Sequence, residues 1–254
     1  MELGPGLFAL LLVLALAGCG GGKSDEPSHS TAKGPLGKGP SGVWLYKPAG
    51  KPKNLVIYLH GQGGPTEATP KNHLPWIEHL VSRGNIVVYP RYEMAYEKDP
   101  LKFVVQGLRT ATGKVDVKGL PVLVIGYSRG GGMAVEYGAV AAQTHVPVPD
   151  AIMSVFPSGS GNWSYLLDLS GLDHSTPLVF LVGDQDTVVG EDGVSALAKR
   201  LQAAAFPAQN IQLIPVASHG SFKATHTAPL ETSKAAQNAF WQPADEILTD
   251  LDAR

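Results

Sequence analysis

The sequence is short of three things. It contains a single cysteine among 254 residues, which excludes an internal disulfide and any CxxC or Cys/His zinc cluster. It has no excess of positive charge: 20 Lys and Arg stand against 22 Asp and Glu, a formal net charge of −2, so a nucleic-acid footprint has no basis. No apolar run is long enough to cross a bilayer. The longest, Leu7 to Ala17, would rise far less than the roughly 30 Å hydrocarbon core requires. What is present is a 44 % hydrophobic content that supports a substantial core, with 30 glycines and 20 prolines spread without a period.

The run at 7–17 has the length of a signal-peptide apolar region. It leads into Leu16-Ala17-Gly18-Cys19, which resembles a bacterial lipobox, although Met1 to Gly6 carries Glu2 and no Lys or Arg. The resemblance implies cleavage before Cys19 and acylation of its thiol. An ordinary secretory signal is the alternative. Gly20 stands where an inner-membrane retention signal would place Asp, which favours the outer membrane of a bacterial envelope. Residues 20–40 are rich in Gly, Pro and Ser and cannot bury enough surface to offset their ordering entropy, so a flexible tether is expected. The expected organisation is therefore a signal over 1–18, a tether over 19–42 and one domain over 43–254. Removing residues 1–18 leaves 20 basic against 21 acidic side chains, because only Glu2 is lost.

Within the domain, continuous apolar runs recur at Leu55–Leu59, Ile86–Tyr89, Val122–Ile125, Ile152–Phe156, Leu178–Val182 and Ile211–Val216. Unbroken rather than alternating apolar character fits strands covered on both faces, as in a parallel sheet. Helical stripes lie between them. Trp76, Ile77, Leu80 and Val81 form one that stops at Arg83-Gly84, and Val194, Leu197, Ala198 and Leu201 form another behind Glu191 and Asp192. Residues 99–112, 130–143 and 231–251 also read as helical, with Pro243 breaking the last. The alternation predicts an α/β three-layer sandwich, a mostly parallel sheet flanked by helices. In such sheets functional residues gather where strands end.

The run at 122–125 enters Gly126-Tyr127-Ser128-Arg129-Gly130, a GxSxG sequence at a strand-to-helix turn. Flanking glycines allow a sharp turn that presents the serine hydroxyl at its tip. On these residues the region 43–251 resembles the α/β-hydrolase superfamily, closest to its single-domain dienelactone-hydrolase-like and esterase branches. The resemblance implies that His60-Gly61-Gln62-Gly63-Gly64 is an oxyanion loop, with the amides of Gln62 and Arg129 as donors and His60 stabilising the loop. In Gly183-Asp184-Gln185-Asp186, its pattern selects Asp186 as the acid, leaving Asp184 to brace the turn. For the base, His219 follows the last strand directly and is preferred, with His226 the alternative. The order Ser128, Asp186, His219 is the one this fold uses.

The expectation is a serine hydrolase of carboxylic esters of small molecules, needing no cofactor and no metal, and reaching the membrane only through its lipid. Asp184, Asp186, Glu191 and Asp192 could be read as a metal cluster, but their spacing matches no calcium loop. The insertion 157–175 predicts a minimal lid, with Trp163, Tyr165 and Leu166 as candidate lining of a shallow pocket. Two rival classes are a serine peptidase of the same fold and a non-catalytic solute-binding lipoprotein. The first usually needs a propeller or large cap that 254 residues do not accommodate. The second needs no Ser, Asp and His at three strand ends.

Overall fold

The computed structural model describes residues 34–95, 97–162 and 166–254. Cys19, the lipobox-like segment and most of the tether lie outside the described residues, as do Trp163 and Tyr165. The strands are β1 (Val43–Tyr46), β2 (Leu55–Leu59), β3 (Ile86–Pro90), β4 (Val122–Tyr127), β5 (Ala151–Val155), β6 (Leu178–Gly183) and β7 (Ile211–Val216). The helices are α1 (Leu74–Ser82), α2 (Leu101–Thr112), α3 (Arg129–Ala141), α4 (Gly190–Ala203), α5 (Lys234–Ala236) and α6 (Gln242–Asp252).

All seven strands join one sheet in the order β1-β3-β2-β4-β5-β6-β7. Every pairing is parallel except β1 with β3, which is antiparallel from Val43–Pro90 to Tyr46–Val87. The six apolar runs each became a strand. The additional one, β1, escapes a periodicity reading because it is four residues long and half-buried at Trp44 and Leu45. Pro215 lies in β7, at the sheet edge, where a missing N–H leaves no ladder bond unmade.

Successive side chains of each inner strand enter opposite cores. Leu55, Ile57 and Leu59 of β2 pack with α2, α3 and α4, through residues such as Val104, Met133 and Leu197. Val56 and Tyr58 pack instead with α1 and α6, through Trp76, Ile77 and Leu248. Burying such side chains contributes about 1.5–3 kcal/mol each, which is why these runs carry no polar alternation. The break expected at Pro243 is a π-helical turn over Gln237–Trp241, after which the chain continues as α6 with Pro243 in its first turn. The wider turn accommodates a ring that cannot donate to the carbonyl four residues back.

One ion pair sits inside the second core. Glu67 Oε2 meets His73 Nε2 at 2.7 Å, and Asn72 Nδ2 donates to Glu67 Oε1 at 2.7 Å. The other nitrogen of His73 faces the Tyr58 hydroxyl at 3.2 Å, and Tyr89 donates to the Glu67 carbonyl at 2.7 Å. This group anchors the segment between β2 and α1. Burial raises the Glu67 carboxyl, but the bond and charge of His73 and the Asn72 amide outweigh it and bring it below its ordinary 4.5. A carboxyl depressed by folding stabilises the protein above its unfolded pKa and loses that contribution as the pH falls through the folded value. The melting temperature of the wild type should therefore drop more steeply below about pH 4.5 than that of Glu67→Gln. Parallel melting curves from pH 6 to 3 would contradict this account of the pair.

Candidate active site

The strand order places a switch between β2 and β4, since the chain runs outward to β3 on one side and to β5, β6 and β7 on the other. Crevices at such points are where open α/β sheets hold ligands. Ser128 stands there, between β4 and α3, with φ 56° and ψ −120°. A non-glycine residue rarely adopts this conformation, and it persists only where the surroundings enforce it. The enforcement is visible in the bonds. Ser128 N–H donates to the Val155 carbonyl at 2.9 Å, while its own carbonyl accepts from Gly131 at 2.9 Å and Ser158 at 3.0 Å.

The two flanking glycines are required by contact. A Cβ on Gly126 would lie 2.1 Å from the Gly130 carbonyl oxygen, and one on Gly130 would lie 2.2 Å from that of Leu59. Helix α3 therefore starts hard against the end of β2. This brings the loop from His60 to Gly64 over the serine, with the Gly61 Cβ position 3.3 Å from Ser128 Cβ.

Ser128 Oγ is 2.8 Å from His226 Nε2, and His226 Nδ1 is 2.9 Å from Asp186 Oδ2. The tautomer that satisfies both contacts has Nδ1–H donating to the carboxylate and Nε2 accepting from the serine hydroxyl. The second oxygen of Asp186 accepts from the amides of Val188 at 2.9 Å and Val189 at 3.2 Å, so the acid is fixed from both sides. Tyr127 holds the histidine, donating from its hydroxyl to the His226 carbonyl at 2.8 Å with the two rings 5.3 Å apart. A chain of this kind can take a proton from the serine and stabilise the resulting imidazolium.

The structure brings His226 to Ser128, and not His219, the histidine preferred from sequence. His219 is exposed, and its backbone is tied in two directions to Phe222, at 3.1 and 2.9 Å. Its ring lies against Phe222 rather than Ser128. The reason is distance. Strand β7 is three positions from β4, about 14 Å at normal strand spacing, while three extended residues beyond Val216 reach only about 10 Å. The additional residues to His226 close that gap. The same arithmetic could have found His226, had the strand order been in hand.

Asp184 braces the turn as expected. Its oxygens accept from Ser218 N at 2.8 Å and Ser218 Oγ at 2.5 Å, and Ser218 Oγ in turn accepts from Ala224 N at 2.9 Å. The Ser218 hydroxyl and amide hold its carboxyl below the ordinary range. This fixes the stretch of chain that carries His226. His60 is also a loop residue. Its Nδ1–H donates to the Gly61 carbonyl at 2.7 Å, its ring stacks on Tyr92 at 4.0 Å, and the Tyr92 hydroxyl donates to its carbonyl. Burial lowers its pKa to about 4, so it is neutral at physiological pH.

Gln62 sits exposed in the loop after β2, and Arg129 opens α3, where first-turn amides have no partner within the helix. Leu166 is 69 % exposed. Between β5 and β6 the described residues form no helix or strand, which fits a minimal lid. Among the described residues, no three His, Cys, Asp or Glu side chains are grouped to hold a metal ion, and no helix is long and apolar enough to cross a membrane. Glu93 and Glu136, both fully buried, and Arg200, half-buried on α4, carry no sequence motif.

Esterase B from Lactobacillus rhamnosis, solved inhibited by a tributyrin phosphonate, is similar with a TM-score of 0.65 at 17 % identity, over 90 % of this chain and 87 % of its own. Carboxyl esterase 2 from the fungus Tuber melanosporum has a TM-score of 0.61 at 16 % identity, over 91 % and 89 % of the two chains. A thermostable esterase from Pseudomonas putida has a TM-score of 0.59 at 16 % identity, over 89 % and 84 %. At these identities the likeness establishes the α/β-hydrolase fold. Comparison with curated protein sequences finds no significant match. The model of the dienelactone hydrolase family matches residues 98–251, more than half of the sequence and every strand from β4 onward. The chain belongs to the dienelactone hydrolase family.

Proposed function

We propose that the protein is a serine hydrolase of carboxylic esters of small molecules. The observation that carries this reading is His226, whose ring bonds to Ser128 on one side and Asp186 on the other. Ser128 Oγ attacks the ester carbonyl carbon as His226 Nε2 takes its proton. Asp186 stabilises the imidazolium through Nδ1–H. The amides of Gln62 and Arg129 hold the oxyanion, the latter aided by the positive end of α3. Collapse of this intermediate expels the alcohol, which leaves with the proton from His226. Water then gives a proton to His226 and attacks the acyl carbon. The acid departs and Ser128 regains its hydrogen.

We place this activity at the bacterial cell envelope, with residues 1–18 removed and Cys19 lipidated, the outer membrane favoured. The support is the lipobox-like Leu16-Ala17-Gly18-Cys19 and the Gly/Pro/Ser-rich stretch that follows it.

Two measurements test these readings. In hydrolysis of p-nitrophenyl butyrate, Ser128→Ala and His226→Ala should each lower kcat by about 10³-fold or more, while His219→Ala should stay within a few-fold of wild type. A large loss at His219 with little at His226 would reverse the assignment. For the anchor, Cys19→Ser expressed in a bacterial host should move the protein from the membrane fraction to the soluble fraction. Unchanged fractionation, with no lipid mass on the wild type, would refute it.

A further inference from the structure

Arg129 has a side chain that the proposed reaction does not use. Its side chain is 2 % exposed, and its partners among the described residues include three oxygens. Nη1 pairs with Glu93 Oε1 at 2.7 Å, Nη2 donates to the Glu97 carbonyl at 2.7 Å, and Nε donates to the Gly161 carbonyl at 2.7 Å. Glu93 and Glu97 belong to the segment after β3, and Gly161 to the segment after β5. These strands lie on opposite sides of the β2–β4 pair, so one planar group ties together the two loops that flank Ser128.

Two turns further along α3, Glu136 is fully buried and grips the second loop again. It accepts from Ser160 Oγ at 2.6 Å, Asn162 Nδ2 at 2.6 Å and Gly161 N at 3.2 Å. Arg200 of α4 neutralises it at 2.9 Å and donates to the carbonyls of Gly159 at 2.7 Å and Leu167 at 2.9 Å. The helix is shaped for this loop. A Cβ on Gly132 would lie 2.6 Å from the Ser158 carbonyl oxygen, and one on Gly131 would lie 2.9 Å from Pro157 Cα. Interior charges are costly to desolvate. A connection between neighbouring strands β5 and β6 needs none of them.

We propose that Arg129 and Glu136 are positioning residues that hold Glu93, Glu97 and the 159–162 segment as fixed walls of the ester cleft, and that selectivity for acyl length resides in this clamp. The inference rests on the hydrolase reading above. A wall fixed by charged bonds keeps a short acyl group in reacting geometry and denies a long one the room it needs. Loosening the wall relaxes both effects, so long acyl chains gain relative to short ones.

The test compares kcat/KM for p-nitrophenyl butyrate and octanoate in full-length wild type, Glu136→Gln and Arg129→Lys. Glutamine puts an amide NH₂ against groups that already donate, and lysine keeps the charge opposite Glu93 but cannot span three oxygens. Both substitutions keep the Arg129-position amide and the Ser128, His226 and Asp186 side chains. The butyrate-to-octanoate ratio should fall by at least about fivefold, chiefly through KM for the octanoate ester. Hydrogen exchange over residues 157–162 should rise in parallel. Faster exchange with a ratio within twofold of wild type would overturn the proposal, because the clamp would then be only structural. Should Arg129→Lys fail to fold, Glu136→Gln decides alone. A wild type that neither hydrolyses these esters nor reacts with a fluorophosphonate would overturn the hydrolase reading and this inference with it. A labelled wild type with unmoved variant ratios overturns the inference by itself.

Discussion

The close approach of α3 to the end of β2 is the constraint on which the site depends. With no side chain at Gly130, the first turn of the helix rests on the carbonyls of Leu59 and His60. The chain can enter that turn only by passing through a positive φ at Ser128. The same contact that strains the serine brings the His60–Gly64 loop to it. The serine turn and the His60–Gly64 loop are thus one packing event, and the bonds of Ser128 to Val155, Gly131 and Ser158 maintain the strain.

Around this turn the protein uses charge where a core would ordinarily use carbon. Arg129 with Glu93 is a buried pair at the start of α3, and the buried Glu136 further along it pairs with the half-buried Arg200. Burial pushes both carboxyls up against the pull of their arginines. Such pairs are weak contributors to net stability, but removing one partner leaves an uncompensated interior charge. Among the described residues the loops they hold have no helix or strand of their own, and the backbone carbonyls of Glu97, Gly159, Gly161 and Leu167 find donors in the side chains of Arg129 and Arg200.

Legibility in the sequence followed the physics of each feature. The six long strands were legible because double-sided burial writes an unbroken apolar run. Ser128 was legible because its glycines are demanded by contacts within a few residues of it. That Asp186 and not Asp184 meets His226 was legible only through family resemblance, since Asp184 offers the same chemistry two residues earlier. That His226 and not His219 meets Ser128 was not legible, because a histidine's partner depends on how far the chain must cross the sheet, and sequence does not give strand order. The Arg129–Glu93 and Glu136–Arg200 pairs join residues 36 and 64 positions apart, so no local pattern announces them. Nor does anything local foretell that Pro243 is absorbed by a π-helical turn.

The central claim is that one strained serine, activated by His226, is the nucleophile. The most direct measurement is mass-spectrometric mapping of the adduct formed when native protein reacts with a fluorophosphonate. The account predicts one modified peptide, with the phosphonyl mass on Ser128, and no adduct after acid unfolding. Modification of another residue in its place, or a native protein left unmodified, would contradict it.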